Sequence, residues 1–226
     1  MEIRPRLKKI AELIPVGCTL ADIGTDHAYL PVYCFQNGII KSAIAMDINP
    51  MPLERAENHL IKYGFLKKCE LRLSDGLREL KRGETDVIVI AGMGGILIKN
   101  ILSSSSDIIA DDTLLILQPM TAPVELRRFI FENGMIVDNE YVVREENKYY
   151  NILEVRKGKT IIDDETLYIG KNLRKNSSEC YFDYLRYKAG VCKKIIDGMD
   201  KSFSMDIRLY EKCEHEYKIY LQYLKG

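Results

Sequence analysis

Uninterrupted apolar runs recur along the first part of the chain, each ending in small or acidic residues. "CTLADI", "SAIAMDI" (Ser42 to Ile48), "DVIVIAGMGG" (Asp86 to Gly95) and "TLLILQP" (Thr113 to Pro119) are of this kind. "CELRLSDG" (Cys69 to Gly76) alternates apolar and polar positions instead. Runs without alternation suit parallel strands covered on both faces. Between them the apolar spacing changes to three and four. In "NPMPLERAENHLIKYGF", Leu53, Ala56, Leu60 and Tyr63 share one helical face, with Gly64 placed as a C-terminal cap. "ILIKNILSSS" and "APVELRRFIFENG" supply two further helices, the second with Val124, Phe129 and Ile130 inward and Gly134 at its end. "MIVDNEYVVRE" and "KYYNILEVRKG" then follow one another with no helix between them, which predicts an antiparallel hairpin closing the sheet.

Repeated β-α units with a terminal hairpin predict the α/β class: a Rossmann-like, doubly wound, mostly parallel sheet. After Gly158 the pattern changes. Tyr181, Tyr184, Lys188, Val191 and Ile195 step by threes and fours, as do Tyr210, Cys213, Tyr217, Tyr220 and Leu224. This predicts a helical hairpin of coiled-coil character with Gly198 as the break. Such a hairpin is too small to bury its own core well, so it is expected to pack on the α/β unit or on a partner. The expected division is 1–158 for the α/β unit and 159–226 for the helical part.

Composition narrows this little. The chain has 226 residues, 46% hydrophobic, with 33 basic and 33 acidic side chains. That is ordinary globular composition, and it gives no strong electrostatic preference for any partner. The six cysteines include no Cys-x-x-Cys pair, which argues against zinc and thioredoxin-type chemistry. They read as reduced, packed thiols of a cytoplasmic protein. The N-terminal "MEIRPRLKKIAELIP" is a charged amphipathic helix and not a secretory signal, and no apolar run is long enough for a bilayer. The oligomeric state stays open.

The chemistry begins in "LADIGTDHAYLPV", Leu20 to Val32. Gly24 allows a tight turn and a close backbone approach to a ligand. A dinucleotide site would place further glycines where Asp26 and Tyr29 stand, and Asp26 would repel a pyrophosphate. The loop therefore favours a ligand without phosphates and with positive charge, such as the ammonium of an amino-acid moiety. Asp47, ending the second strand, is placed to accept from ribose hydroxyls; the plainer reading is a solvated or helix-capping carboxylate. Asp75-Gly76, ending the third, can accept from an adenine amine or simply make a turn.

An ammonium, a ribose and an adenine together describe S-adenosylmethionine. "DIGTDHAYLP", "DINP", "SDG", "AGMGG" and "LQPM" are similar, in order and spacing, to the bacterial tRNA adenine-22 N1-methyltransferases. The resemblance extends over nearly the whole chain, the tyrosine-rich tail included. It implies a class I methyltransferase with S-adenosylmethionine as cofactor, tRNA as partner and no metal. It implies cofactor contacts from Asp22, Gly24, Thr25, Asp26, His27, Asp47, Ile48, Asp75, Gly76, Gly92 and Met93. Asp26 and Tyr29 are the candidate catalytic residues, although Tyr29 as a helix residue also suits packing and His27 suits a core or capping role. Gly94, Gly95 and Gln118 are candidates to touch substrate. The glycines around Met93 either admit a flat base or only permit a tight strand-to-helix turn.

For RNA, Lys171, Arg174, Lys175, Arg186, Lys188, Lys193 and Lys194 outnumber Glu179 and Asp183 between residues 166 and 194, with Tyr181, Tyr184 and Tyr187 among them. Basic residues bind phosphate and aromatics stack on unpaired bases, although for any single residue the plainer reading is a solvated helical face with the tyrosines packed in the hairpin seam. Lys171, Arg174 and Lys175 are the expected docking residues, and Arg4, Arg6, Lys8 and Lys9 form a second patch. The alternatives are a methyltransferase for a small molecule or protein, or a non-catalytic RNA-binding protein with a vestigial cofactor pocket.

Overall fold

The computed structural model describes residues 1–200 and 206–225. Seven strands form one sheet in the order β3-β2-β1-β4-β5-β7-β6. They are β1 (Cys18–Ile23), β2 (Ile40–Asp47), β3 (Cys69–Leu73), β4 (Val87–Met93), β5 (Leu114–Pro119), β6 (Met135–Glu145) and β7 (Lys148–Lys157). β1 to β5 are parallel; β7 runs antiparallel beside β5, and β6 antiparallel beside β7. The apolar runs therefore became the central parallel strands, and the consecutive pair became the hairpin.

Helices α1 (Pro5–Leu13), α2 (Tyr29–Gln36) and α3 (Pro50–Tyr63) accompany one side of the sheet, where Ile10, Leu30, Val32 and Leu60 meet Leu20, Val87 and Ile116. α4 (Gly95–Ser103) and α5 (Pro123–Glu132) accompany the other, where Ile98, Leu102, Leu126 and Ile130 meet Ile23, Ile88 and Leu117. Gly64 ends α3 in the left-handed region at φ 77°, as expected of a glycine cap. Burial pushes the Cys34 and Cys69 thiols up to about 12, which leaves them as packing groups.

β6 contains an irregularity between Val137 and Asn139. Before it, Met135 and Val137 point inward; after it, Glu140 and Val142 do. One extra residue has changed the parity of the strand. The shift carries the Glu140 carboxylate into the protein, where Arg127 of α5 meets it, both side chains being fully buried. Arg127 Nε and Nη2 donate to the two carboxylate oxygens at 2.8 and 2.5 Å, and Nη1 donates to the Leu167 carbonyl at 2.8 Å. Asn151 of β7 donates to Glu140, and the Tyr184 hydroxyl donates to Asn151. Burial alone would lower the Arg127 pKa, but the charge and hydrogen bonds of Glu140 outweigh it and raise it.

Leu167 belongs to a π-helical turn (Glu165–Ile169) that leads into α6 (Leu173–Asn176), α7 (Tyr181–Met199) and α8 (Ile207–Lys225). The last two helices pack together, and Tyr184, Leu185, Cys192, Cys213 and Tyr220 share a core with Val142 of β6. The expected helical pair is present and packs on the sheet. Gly198 is not its break: it lies within the last turn of α7. Residues between Lys171 and Cys180 also line the outer edge of β6. The Lys171 carbonyl accepts from Glu140 N–H, Asn176 donates to the Glu140 carbonyl, Ser177 Oγ accepts from Val142 N–H, and Cys180 Sγ donates to the Val142 carbonyl.

Candidate active site

The strand order reverses between β1 and β4, and ligands of doubly wound sheets bind at the carboxyl ends of strands flanking such a reversal. A cavity of 590 Å³ opens there, within the usual range for small-ligand sites. Its lining includes Asp22 from the end of β1, Gly24, Thr25 and Asp26 from the first loop, Tyr29 from the start of α2, Ala91 and Gly92 from the end of β4, and Arg4 and Arg6 from the start of α1.

The first loop is held from below and bent sharply. Gly24 and Thr25 N–H both donate to the Met46 carbonyl, at 2.8 and 2.9 Å. Gly24 takes φ 73°, and a Cβ there would lie 2.1 Å from the Met93 methyl, so the thioether tip of Met93 rests on the bare glycine. His27 and Ala28 also have positive φ, at 58° and 48°. Left-handed backbone at such residues costs of order 1–3 kcal/mol each, which the surrounding structure must offset. That twist starts α2 with Asp26 and Tyr29 turned towards the cavity.

Asp22 lies below the loop, nearly inaccessible, with Thr25 Oγ1 donating to its Oδ2 at 2.7 Å. Burial pushes its carboxyl up to about 6; the Thr25 hydrogen bond opposes the shift and the nearby Asp47 adds to it. Asp26 is exposed, 3.5 Å from His27 Nε2. The His27 ring stacks on Tyr29 at 5.2 Å, Tyr29 meets His59 edge-on at 5.1 Å, and His59 Nδ1 lies 2.7 Å from the His27 carbonyl. His27 itself is not part of the cavity lining.

Asp47 Oδ1 accepts the Asn49 N–H at 2.8 Å. Ile48 is exposed beside it. Asp75, on the loop after β3, forms an exposed ion pair with Arg78 at 3.0 Å. Gly76 combines φ 64° with tight packing, a Cβ there lying 2.9 Å from Ile101 Cγ2. These groups flank the first loop on the β2 and β3 side, away from Gly92.

Two expectations need correction. Gln118 does not face the substrate space. Its side chain is fully buried, its Oε1 accepts from Gly92 N–H and Arg6 Nη1 at 3.0 Å each, and its Nε2 donates to the Pro119 carbonyl. It braces the end of β4 instead. Gly95 likewise serves packing: a Cβ would come within 2.6 Å of the Thr121 and Ala122 carbonyls, and its N–H donates to Thr121. Gly94 caps α4 against the Thr121 hydroxyl, so Gly92 is the glycine that borders the cavity. Tyr181 and Tyr184 are packed in the tail core, the plainer of the two readings open to them, whereas Tyr187 is 43% exposed.

The basic residues of the tail are dispersed. Lys171 and Lys175 lie beside the β6 edge, Arg174 sits over the Phe182 ring, Arg186 pairs with Asp183 and Lys193 with Asp197. Sequence reasoning placed Arg6 only in a surface patch; the structure puts it in the cavity wall. Among the described residues, no group of acidic, histidine and cysteine side chains could hold a metal ion, and no helix is long and apolar enough to cross a membrane.

Comparison with known proteins adds to this geometry. A methyltransferase-domain family model matches residues 3–153. The tRNA (adenine(22)-N(1))-methyltransferase of Bacillus subtilis is 37% identical over 173 residues, covering 76% of this chain and 71% of that protein. The crystal structure of the B. subtilis M1A22 tRNA methyltransferase TrmK superposes with a TM-score of 0.81 at 29% identity, over 99% of this chain and 96% of that one. M. capricolum TrmK, solved with S-adenosyl-homocysteine, matches with a TM-score of 0.82 at 27% identity, over 100% and 99% of the two chains.

Proposed function

This chain belongs to the bacterial tRNA (adenine-22-N1)-methyltransferase family, and we propose that it transfers the methyl group of S-adenosylmethionine to N1 of adenine 22 in tRNA. The observation that carries this reading is the cavity at the β1–β4 reversal, with acidic side chains on one wall and an open glycine on another.

The residues fit the cofactor. Gly24 lines the cavity, and its missing side chain leaves room for the Met93 methyl beside it. Asp22 and Asp26 supply negative charge for an ammonium and a sulfonium. Asp47 keeps a carboxylate oxygen for ribose hydroxyls while its other oxygen holds the loop. Asp75 faces solvent at the β3 end, in position for an adenine amine, and Ile48 and Gly76 border the same stretch. S-adenosylmethionine, when bound, supplies an electrophilic methyl group whose bond to sulfur breaks as the new bond to nitrogen forms.

The protein has little proton chemistry to perform. Adenine N1 attacks through an in-plane lone pair, and the positive charge moves from sulfur to the base, so no proton must leave first. The task is alignment and exposure of the Watson–Crick edge, which a base inside a helix does not offer. Gly92 leaves room and backbone for a flat ring, Gln118 fixes the height of that backbone, and Asp26 and Tyr29 close the cavity from the α2 side. Residues 1–158 carry the transfer. Residues 159–226 orient the RNA through Lys171, Arg174 and Lys175.

The test uses the full chain with labelled donor and two transcripts, one with adenine 22 and one with guanine there. Label at N1 of adenine 22, mapped by mass spectrometry, with none in the second transcript, is the expected result. Label at another nucleotide, or only in protein or metabolite fractions, overturns the reading.

A further inference from the structure

Tyr187 keeps much of its ring in solvent. It projects from α7 and leans on the Tyr149 ring, with centres 5.3 Å apart and planes at 44°. Tyr149 in turn meets the buried Tyr184 edge-on at 6.0 Å. The Tyr187 ring is thus held from one side by an aromatic pair anchored in the tail core. The same helical face is bare beyond it. Val191, one turn on, is exposed, and a Cβ on Gly190 or Gly198 would meet nothing. Glycine inside a helix is unfavourable, and neither packing nor a positive φ requires one at these two positions. Bare backbone beside an exposed ring leaves a flat strip on which a planar group can lie.

The strip has positive charge to spare. Asp183 and Asp197 are taken by Arg186 and Lys193. Lys194 on α7 and Lys148 at the start of β7 are exposed and pair with no acidic side chain among the described residues, against one unpaired carboxylate, Glu146, in the hairpin turn. Strand order fixes where this lies. β7 runs antiparallel to β5 with Leu117 beside Leu153, so the first residues of β7 reach past the carboxyl end of β5. The cavity opens at that end of the sheet. Tyr150 lies there under Arg6 of the cavity wall, its ring centre 5.4 Å from the guanidinium carbon. Tyr149 is the neighbouring residue and projects to the other face of the strand. The Tyr149–Tyr187 pair and the cavity therefore stand on opposite faces of one strand end.

We propose that Tyr187, with Tyr149 behind it, is a stacking platform for an unpaired base of the tRNA, the one beside the adenine that enters the cavity. The inference rests on the methyl-transfer reading of the cavity. Drawing the target base out to expose its Watson–Crick edge leaves a neighbouring base without its own stack. An aromatic face replaces that stack for any base, whatever its hydrogen-bonding edge. The two bases part around the first residues of β7, and Lys148 and Lys194 meet phosphates of the same strand.

The experiment compares the full parent chain with Tyr187→Ala and Tyr187→Phe. The RNA probes are two tRNAs, each carrying 2-aminopurine in place of the base on one side of adenine 22; the fluorescence of this base falls when it stacks. At one of the two positions the probe is expected to be dim when bound to the parent or to Tyr187→Phe and several-fold brighter when bound to Tyr187→Ala. KM for unmodified tRNA should rise about fivefold or more in Tyr187→Ala and stay within twofold in Tyr187→Phe. Binding of S-adenosyl-homocysteine and the Tm should stay those of the parent in both. Equal brightness in all three complexes at both positions overturns the proposal, as does a KM within twofold of the parent for Tyr187→Ala. So does an equal loss in Tyr187→Phe, which makes the hydroxyl the working group, or weakened S-adenosyl-homocysteine binding, which marks a structural role. A parent dimer that dissociates in Tyr187→Ala on sedimentation assigns the face to a second copy of this chain and also overturns it. Failure of the parent to methylate any tRNA overturns the proposed function instead, and is read separately, because the probe reports binding without methyl transfer.

Discussion

Replacing Asp22 by Asn is expected to make the protein more stable and a poorer binder of its cofactor. The Asp22 carboxyl is buried, and burial raises its pKa from 3.8 to about 6. At 1.36 kcal/mol per pH unit, that difference corresponds to about 3 kcal/mol of disfavoured ionisation in the folded state. The sign follows from the raised value. Below the unfolded pKa both states are protonated and nothing is lost; as pH rises through 4 to 6 the folded state is progressively penalised, and above 6 the penalty is complete. Asn keeps the shape and an oxygen for the Thr25 hydroxyl without the charge. Urea unfolding should therefore show the variant about 3 kcal/mol more stable at pH 7.5 and only about 1 kcal/mol more stable at pH 4.5. For a chain of this length, the first figure amounts to a rise in Tm of roughly 6–12 °C. Added S-adenosyl-homocysteine should stabilise the parent more than the variant, because a cationic ammonium relieves the buried carboxylate. A variant less stable than the parent at pH 7.5, or a difference that does not change with pH, would refute the reasoning.

Glu140→Ala leaves Arg127 buried without its partner and should cost about 3–5 kcal/mol in urea unfolding, whereas the double change Arg127→Met with Glu140→Leu should be close to neutral. Gly24→Val sets a side chain against the Met93 methyl at positive φ; cofactor binding measured by calorimetry should disappear while the far-ultraviolet circular dichroism stays that of the parent. Reversing Lys171, Arg174 and Lys175 to Glu should spare S-adenosyl-homocysteine binding and abolish tRNA methylation at physiological salt; full activity would remove those positions from RNA docking. Between pH 6 and 9 the single-turnover rate of His27→Ala should follow the same profile as the parent, and a histidine-like rise present only in the parent would make His27 a proton acceptor.

Much of the α/β unit is legible because its strands are written in one alphabet. Val87 to Ile90 is apolar throughout and is buried throughout, so the pattern and the outcome coincide. The first loop is legible for a similar reason: the position of Gly24 and the acidity of Asp26 constrain the ligand before any coordinates do. What escapes the sequence is polar and non-local. Arg127 and Glu140 look like surface letters until the bulge in β6 turns one towards the other. Gln118 resembles a substrate contact because its two partners, Gly92 of β4 and Arg6 of α1, are distant from it in the sequence. Gly95 and Gly92 are the same letter, yet a neighbouring carbonyl explains one and the cavity the other. Gly198 misleads because a glycine costs a helix only about 1 kcal/mol, less than the anchoring that Tyr184, Leu185 and Cys192 supply to α7.

The capping of the β6 edge by residues 171–180 has a consequence for the order in which the protein is made. Synthesis runs from the N-terminus, so all seven strands leave the ribosome before the side chains that close their outermost edge. At about 5–20 residues per second, the interval between Lys157 and Cys180 lasts roughly one to five seconds. During it, the N–H and C=O groups of Glu140 and Val142 are open to any neighbouring strand, including the same strand of a second nascent chain on the same messenger. Completing the tail then acts as a timed closure of an adhesive edge. Slowing translation between these two points, by rare codons alone and with no change in the protein, should lengthen that interval and increase the aggregated fraction.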